Sequence, residues 1–394
     1  MKLDTYDQAL LDGEYGETKQ KMMEILLALG KIYDAERFIE VKSVQVSGAS
    51  FKTIGDAGLF WLNTLSGKAV VPAFLNPIGM PRDEWQNLGV PDDFAKKQLE
   101  VNAAYARLGI KMTCTCTPYY YSIVERGDHL AWSESSAVSY ANSVLGARTN
   151  REGGPSALAS AMTGKTPYYG LHIVKNRLPQ IEFHIDDPAK TKSWTAAQYG
   201  ALGIIAGAIS GNRIPLFTEI RPNHDMLKSL GAAMAASGAV ALYHVNEITP
   251  ETRFPFFKKH IEEDSREVVE IEVAEVEELF GDLEVDVVAI GCPHLSVEEL
   301  KEIASLLKGK KVVMPVYIFV AADLKHGNEE YYNTILRSGA KLVPDTCMVV
   351  SPIMDKAGVV MTNSGKAFTY LPGMCGATPM LGTLEDCIRV GCGE

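Results

Sequence analysis

The chain has no Cys-x-x-Cys pair, no long uncharged apolar run, no dense cluster of basic residues and no low-complexity tract. Each absence removes a class of function. Without Cys-x-x-Cys there is no zinc knuckle and no ferredoxin-type site. The most apolar stretches, residues 201–210 and 230–245, are interrupted by Gly and Ser and read as tightly packed buried helices, so no membrane span is expected. A net charge of −11 without a basic stripe argues against nucleic acid as a partner. The amino terminus is polar and acidic with no secretory leader pattern, so a cytoplasmic protein is expected. Cysteine is sparse, and its seven copies are an odd number scattered through 394 residues. That pattern disfavours a disulfide framework and favours metal binding or buried free thiols.

What is present describes a soluble α/β protein, 46% hydrophobic and 22% charged, long enough for two or three subdomains. Residues 285–350 read as strand, helix, strand, helix, strand. Val285-Asp-Val-Val-Ala-Ile290 is a short β-branched run, and residues 311–320 form a second one, with Pro315 as an irregularity. Between them, residues 296–308 have helical spacing behind a Ser296/Glu299 capping box. Residues 321–338 are helical, and a third strand starts at Lys341. Such unbroken apolar strands belong to buried parallel sheets. A division near residue 270 is expected, with α/β subdomains in 1–270 and a βαβαβ unit in 271–394.

Two cysteines, Cys292 and Cys347, lie just past strand ends in this region. A third, Cys116, follows the short strand 110–112. Ligands gather at the carboxyl ends of parallel strands, so these three thiols are placed to meet. The alternative is three unrelated buried thiols. Cys114 shares a face with Cys116 if their segment is extended.

Upstream, residues 6–31 read as one helix and residues 38–46 as one strand delivering Ser47-Gly48-Ala49-Ser50. That loop precedes a helix over 51–66 and either presents backbone N–H groups to an anion or is a simple turn. A strand over 70–75 ends in Asn76-Pro77. Residues 131–146 are helical and, with Arg148 just beyond, carry more polar groups than packing needs: Glu134, Ser135, Ser136, Asn142 and Arg148. Residues 163–188 read as a hairpin bearing His172 and His184. A strand follows at 240–244, then an acidic junction over 254–282. Near the end, residues 358–366 form a strand closing in a Gly-Lys turn, where Lys366 suits a carboxylate or phosphate.

The set Cys116-Thr-Pro-Tyr, Ala131-Trp-Ser-Glu-Ser-Ser-Ala-Val, Asn142-Ser-Val-Leu-Gly-Ala-Arg-Thr, Gly291-Cys-Pro-His-Leu-Ser, Asp345-Thr-Cys and Thr362-Asn-Ser-Gly-Lys resembles the aconitase X family over nearly the whole chain. The resemblance implies layered α/β/α subdomains with mostly parallel sheets around an iron–sulfur cluster at the carboxyl ends of strands. It assigns a [4Fe-4S] cluster to Cys116, Cys292 and Cys347, leaving Cys375, Cys387 and Cys392 aside. It assigns substrate binding to Gly48, Ala49, Ser50, Asn76, Pro77, Glu134, Ser135 and Lys366. The family helix reads Glu-Ser-Asn-Ala, and this chain departs from it at Ser136.

Archaeal members imply dehydration of (R)-5-phosphomevalonate to trans-anhydromevalonate 5-phosphate, a mevalonate-pathway step toward isoprenoids. Bacterial members imply cis-3-hydroxy-L-proline as substrate instead. Three thiolates on four irons leave one iron open to act as a Lewis acid. A non-catalytic iron–sulfur subunit, the rival reading, would have all four irons ligated. The resemblance places the catalytic base on a serine of a swivel domain. This sequence reaches Glu394 soon after Lys366, so a separate small subunit carrying that domain is expected, in a heterodimer or larger assembly. The alternative is that Glu134 or Ser135 serves as the base.

Overall fold

Apolar runs too short for amphipathic helices pair as parallel strands in three successive α/β units. The computed structural model describes residues 1–394. The first unit contains β1 (Phe38–Glu40), β2 (Ser43–Val46), β3 (Ala73–Leu75), β4 (Leu130–Trp132) and β5 (Lys165–Pro167). Its parallel sheet has the order β3-β2-β4, with Val46 opposite Leu75 and Gln45 opposite Trp132. Helices Glu17–Ile32, Phe51–Thr64, Asp92–Arg107 and Gly154–Thr163 close over a core that includes Met22, Leu26, Val44, Leu62, Ala104 and Met162.

The second unit contains β6 (Ile181–Ile185), β7 (Pro215–Phe217), β8 (His244–Val245) and β9 (Glu267–Ile271), parallel in the order β8-β7-β6-β9. Its helices Ala196–Ser210 and His224–Ser237 approach at backbone contact. A Cβ added at Gly203 would lie 2.6 Å from the Leu230 carbonyl oxygen, which requires glycine there.

The third unit contains β10 (Val287–Ile290), β11 (Val316–Val320), β12 (Lys341–Pro344), β13 (Val359–Thr362) and β14 (Thr378–Leu381). All are parallel, in the order β12-β11-β10-β13-β14. Helix Val297–Leu307 has the expected Ser296/Glu299 capping box and buries Leu300, Ile303 and Leu307. The fold is α/β with mostly parallel sheets, as the sequence implies. The exception is the antiparallel pairing of β1 with β5. No helix is long and apolar enough to cross a membrane.

Several local readings change. The expected strand over 38–46 is two strands in different sheets, because Val41 and Lys42 donate to Gly164 and His129 between them. The helix expected over 6–31 breaks into Thr5–Leu11 and Glu17–Ile32 around Gly13 and Gly16, both at positive φ. Residues 163–188 are no hairpin, since β5 and β6 belong to different sheets. The strand expected over 311–320 begins only at Val316, after Pro315, which lacks an N–H to donate. Residues 110–112 make one bridge, Lys111 to Phe74, and no longer ladder. The 254–282 stretch contributes β9 to the second sheet, so the ladder with β6 runs up to Ile271.

Candidate active site

The carboxyl ends of β2, β3 and β4 in the first unit face the carboxyl ends of β10, β12 and β13 in the third. The two units are sewn together there. Ile78 donates to the Asp345 carbonyl oxygen at 2.9 Å, and Cys347 donates back to that of Ile78 at 3.0 Å. Ser50 Oγ donates to the Val350 carbonyl oxygen at 2.8 Å while also capping helix Phe51–Thr64.

Strand β2 carries Gln45, fully buried between valines. Its amide donates to the Thr115 carbonyl oxygen at 3.0 Å and accepts from the Glu134 N–H at 3.4 Å. One side chain thus joins the Cys116 loop to the start of helix Ser135–Tyr140. After β2, the N–H groups of Gly48, Ala49 and Ser50 find no acceptor within the chain. Gly48 sits at φ 79, and Gln98 fastens the loop by donating to the Ala49 carbonyl oxygen at 2.7 Å. Such a run of unpaired donors can receive an anion. Asn76 and Pro77 follow β3 directly, and Asn76 accepts from Gln45 at 3.4 Å.

Glu134 caps the helix that follows β4. Its carboxylate accepts from the Ala137 N–H at 2.7 Å, Ser136 Oγ at 2.6 Å, Ser135 Oγ at 3.4 Å and Lys366 Nζ. Burial pushes this carboxyl up. The Lys366 charge and hydrogen bond, helped by Ser136 and the Ala137 N–H, outweigh burial and hold it below its ordinary value. Burial disfavours the Lys366 ammonium, but Glu134 and the neighbouring sulfurs reverse the balance, so Lys366 stays charged. Lys366 lies in the first turn of helix Gly365–Cys375, not in a free turn as the sequence suggested.

Cys116, Cys292 and Cys347 lie within reach of the Lys366 charge: burial raises all three thiols, and Lys366 lowers all three. For Cys292 the balance falls at about 12. Cys116 Sγ accepts from the His294 N–H at 3.1 Å, while Ser364 Oγ and the Val350 N–H donate to the carbonyl oxygens of Cys292 and Cys347 and hold their loops. A sulfur that accepts a hydrogen bond suits a cluster-ligating thiolate. Cys375 is the opposite case, since its S–H donates to the Val349 carbonyl oxygen at 3.5 Å. Cys114 stands apart from Cys116, because its φ of 44 breaks the alternation and buries it in the first core. Cys387 is buried in the third core, and Cys392 packs against it.

No three Cys, His, Asp or Glu side chains come together closely enough to hold a single metal ion. A multinuclear cluster takes each thiolate at a different iron, so its ligands need not meet at one point. Three thiols near a cation, Cys116 buried and Cys292 and Cys347 partly buried, are a donor set that fits such a group.

His294 is the residue whose part the sequence did not disclose, although the Gly-Cys-Pro-His motif contains it. Its Nε2 donates to the Thr346 carbonyl oxygen at 2.9 Å and its Nδ1 meets Thr115 Oγ1 at 3.3 Å. Gln45 had one visible signal, a polar residue at the centre of an otherwise apolar strand. A recess of about 20 Å³ touches Cys292 and shares Ala196, Glu299 and Asn363 with a cavity of about 810 Å³ where all three units meet. The larger cavity does not touch Glu134 or Lys366.

Models of the first, second and third domains of aconitase X match residues 1–175, 179–281 and 285–393. The chain belongs to the aconitase X family. It is 51% identical to the phosphomevalonate dehydratase large subunit of Methanosarcina mazei, covering 100% of this chain and 98% of that one. Identity to the protein of the same name from Methanocaldococcus jannaschii is 45%, over 99% of this chain and 100% of the other. The crystal structure of Thermococcus kodakaraensis aconitase X, in a holo-form, superposes with a TM-score of 0.90 at 42% identity, covering 99% of this chain and 100% of that one. The aconitase X fold therefore accounts for the whole described chain.

Proposed function

We propose that this chain is the large, catalytic subunit of a hydro-lyase that converts (R)-5-phosphomevalonate to trans-anhydromevalonate 5-phosphate. In this reading Cys116, Cys292 and Cys347 hold a [4Fe-4S] cluster. The observation that carries it is the approach of three cysteines, Cys116 with its sulfur hydrogen-bonded, to the buried Lys366–Glu134 pair between two sets of strand ends. The names of the archaeal relatives support the substrate.

When bound, the cluster supplies a Lewis-acidic iron that assists departure of the substrate hydroxyl as water. The chain's own residues bind and orient. Lys366 offers a charge-assisted contact to an anionic group of the substrate, and Glu134 keeps it protonated in a buried setting. The unpaired N–H groups of Gly48, Ala49 and Ser50 receive a second anionic group, which a phosphorylated acid possesses. Asn76, Pro77 and Ser135 line the approach from β3 and β4. Glu134 is a poor general base because four donors already occupy its carboxylate. The aconitase X resemblance puts the base on a serine of a separate small subunit.

The test is an anaerobic assay of the cluster-loaded chain, alone and with the small subunit, on 5-phosphomevalonate and on cis-3-hydroxy-L-proline. Turnover of the phosphorylated acid by the pair is expected. Full activity from the chain alone, or preference for the hydroxyproline, would overturn the proposal.

A further inference from the structure

On the amino-terminal side of β4, at the opposite end from Glu134, several polar groups lack the partners that burial demands. Arg148 lies on the segment bridged to His129, just before β4, and its Nε is buried without a hydrogen-bond partner. Glu251 is also buried and its Oε2 has no partner, while its Oε1 accepts from Arg177 Nε at 2.7 Å. Arg126 is exposed, with its guanidinium 4.0 Å from the centre of the Phe254 ring.

Arg126, Arg148 and Glu251 line a single cavity of about 330 Å³. Val174, Phe254 and Phe256 form its apolar wall. Val174 is 36% exposed and Phe256 45% exposed, so this wall is open to solvent. The chain holds 49 acidic residues against 38 Lys and Arg, so cations should find carboxylates easily. Here the one carboxylate at hand is already shared with Arg177.

We infer that this cavity binds a small organic phosphate with an apolar body. Two guanidiniums match the charge of a phosphate monoester, about −1.5 to −2 at neutral pH, and their forked N–H groups match its oxygens. In the singly protonated fraction of the phosphate, the P–OH donates a hydrogen bond to Glu251 Oε2, which has no other partner. Val174, Phe254 and Phe256 take the hydrocarbon part, which inorganic phosphate lacks. The site is separate from the cysteines, yet one continuous helical segment joins the two. Helix Ser135–Tyr140 starts beside Glu134 and runs through the π-turn Ala141–Leu145 to Gly146, which lines the cavity.

The experiment is calorimetric titration of the full chain with n-butyl phosphate, inorganic phosphate and 1-butanol. n-Butyl phosphate should bind about tenfold or more tightly than inorganic phosphate, and 1-butanol should not bind measurably. Arg126→Ala, a surface change that leaves folding intact, should weaken both phosphates by about tenfold. Phe256→Ala should weaken n-butyl phosphate and leave inorganic phosphate unchanged. Arg148→Ala, checked for folding by circular dichroism, should remove the site. No binding of n-butyl phosphate, equal affinity in wild type and Arg126→Ala, or 1-butanol binding as well as its phosphate would each overturn the inference.

Discussion

The backbone N–H of His294 donates to Cys116 Sγ across 3.1 Å, although 178 positions separate the two residues. Through its ring, the same residue also holds Thr346, next to Cys347, and Thr115, next to Cys116. Its own loop carries Cys292. One histidine therefore fastens the three cysteine loops to one another, across two of the three α/β units.

Replacing it should loosen that geometry. His294→Ala removes two buried ring hydrogen bonds and leaves the Thr346 carbonyl unpaired, a loss of about 1–3 kcal/mol. The expected outcome is a folded protein that retains less iron and sulfide after anaerobic reconstitution than wild type. Iron content and thermal midpoint both equal to wild type would refute this role.

The seven cysteines should separate into two groups. Serine at 116, 292 or 347 should abolish or strongly reduce the visible absorbance of the anaerobic, reconstituted protein. Serine at 114, 375, 387 or 392 should leave it in place, since those thiols face the cores or a carbonyl. Wild-type absorbance in the Cys292→Ser or Cys347→Ser protein would contradict the ligand assignment.

Lys366 and Glu134 should prove interdependent. Lys366→Met strands a buried carboxylate, and removing one partner of a buried pair costs about 3–5 kcal/mol. Adding Glu134→Gln removes the stranded charge and should return much of that stability. Activity should stay down by about tenfold or more in both variants, because the anion contact is gone. Thermal denaturation and steady-state kinetics on the same three proteins separate the two effects. A double variant no more stable than the single one would exclude the coupling.

Stability should fall as the pH drops below neutrality, with His244 as one cause. Its Nε2 donates to the Arg177 carbonyl oxygen at 2.7 Å, and its Nδ1 has no partner. Burial lowers its pKa to about 4, against an ordinary value near ~6.5 in the unfolded chain. The folded form thus resists protonation, and the unfolded form takes the proton first. This contribution is complete above about pH 6.5 and is lost between about 6.5 and 4, amounting to about 3 kcal/mol. His244→Gln should flatten the thermal midpoint over that interval relative to wild type. An unchanged pH profile would show that His244 contributes nothing to the acid transition.

Helix Val297–Leu307 and most strands of the third unit could be read directly, because their hydrophobic spacing and caps are local properties, whereas the helix expected over 321–338 begins only at Glu329. Ser296 and Glu299 sit where a capping box places them. Readings failed where neighbours from far along the chain decided the outcome. Residues 38–46 look like one strand, yet Val41 and Lys42 are claimed by Gly164 and His129. Cys114 and Cys116 would share a face on an extended segment, and a single positive φ sends them into different surroundings.

By itself, the sequence determined which residue types arrive at strand ends: the three cysteines, the Gly48-Ala49-Ser50 loop and Lys366; Glu134 is expected within a helix over 131–146, whereas β4 ends at Trp132 just before it. Apolar periodicity and turn chemistry are short-range, so those placements follow from a dozen residues at a time. Only the tertiary structure decided that Lys366 meets Glu134, that Gln45 bridges the Cys116 loop, and that His294 ties three loops together. Those contacts join residues 70 to 232 positions apart. No local pattern encodes such pairings, because burial that removes water makes a specific partner necessary without naming it.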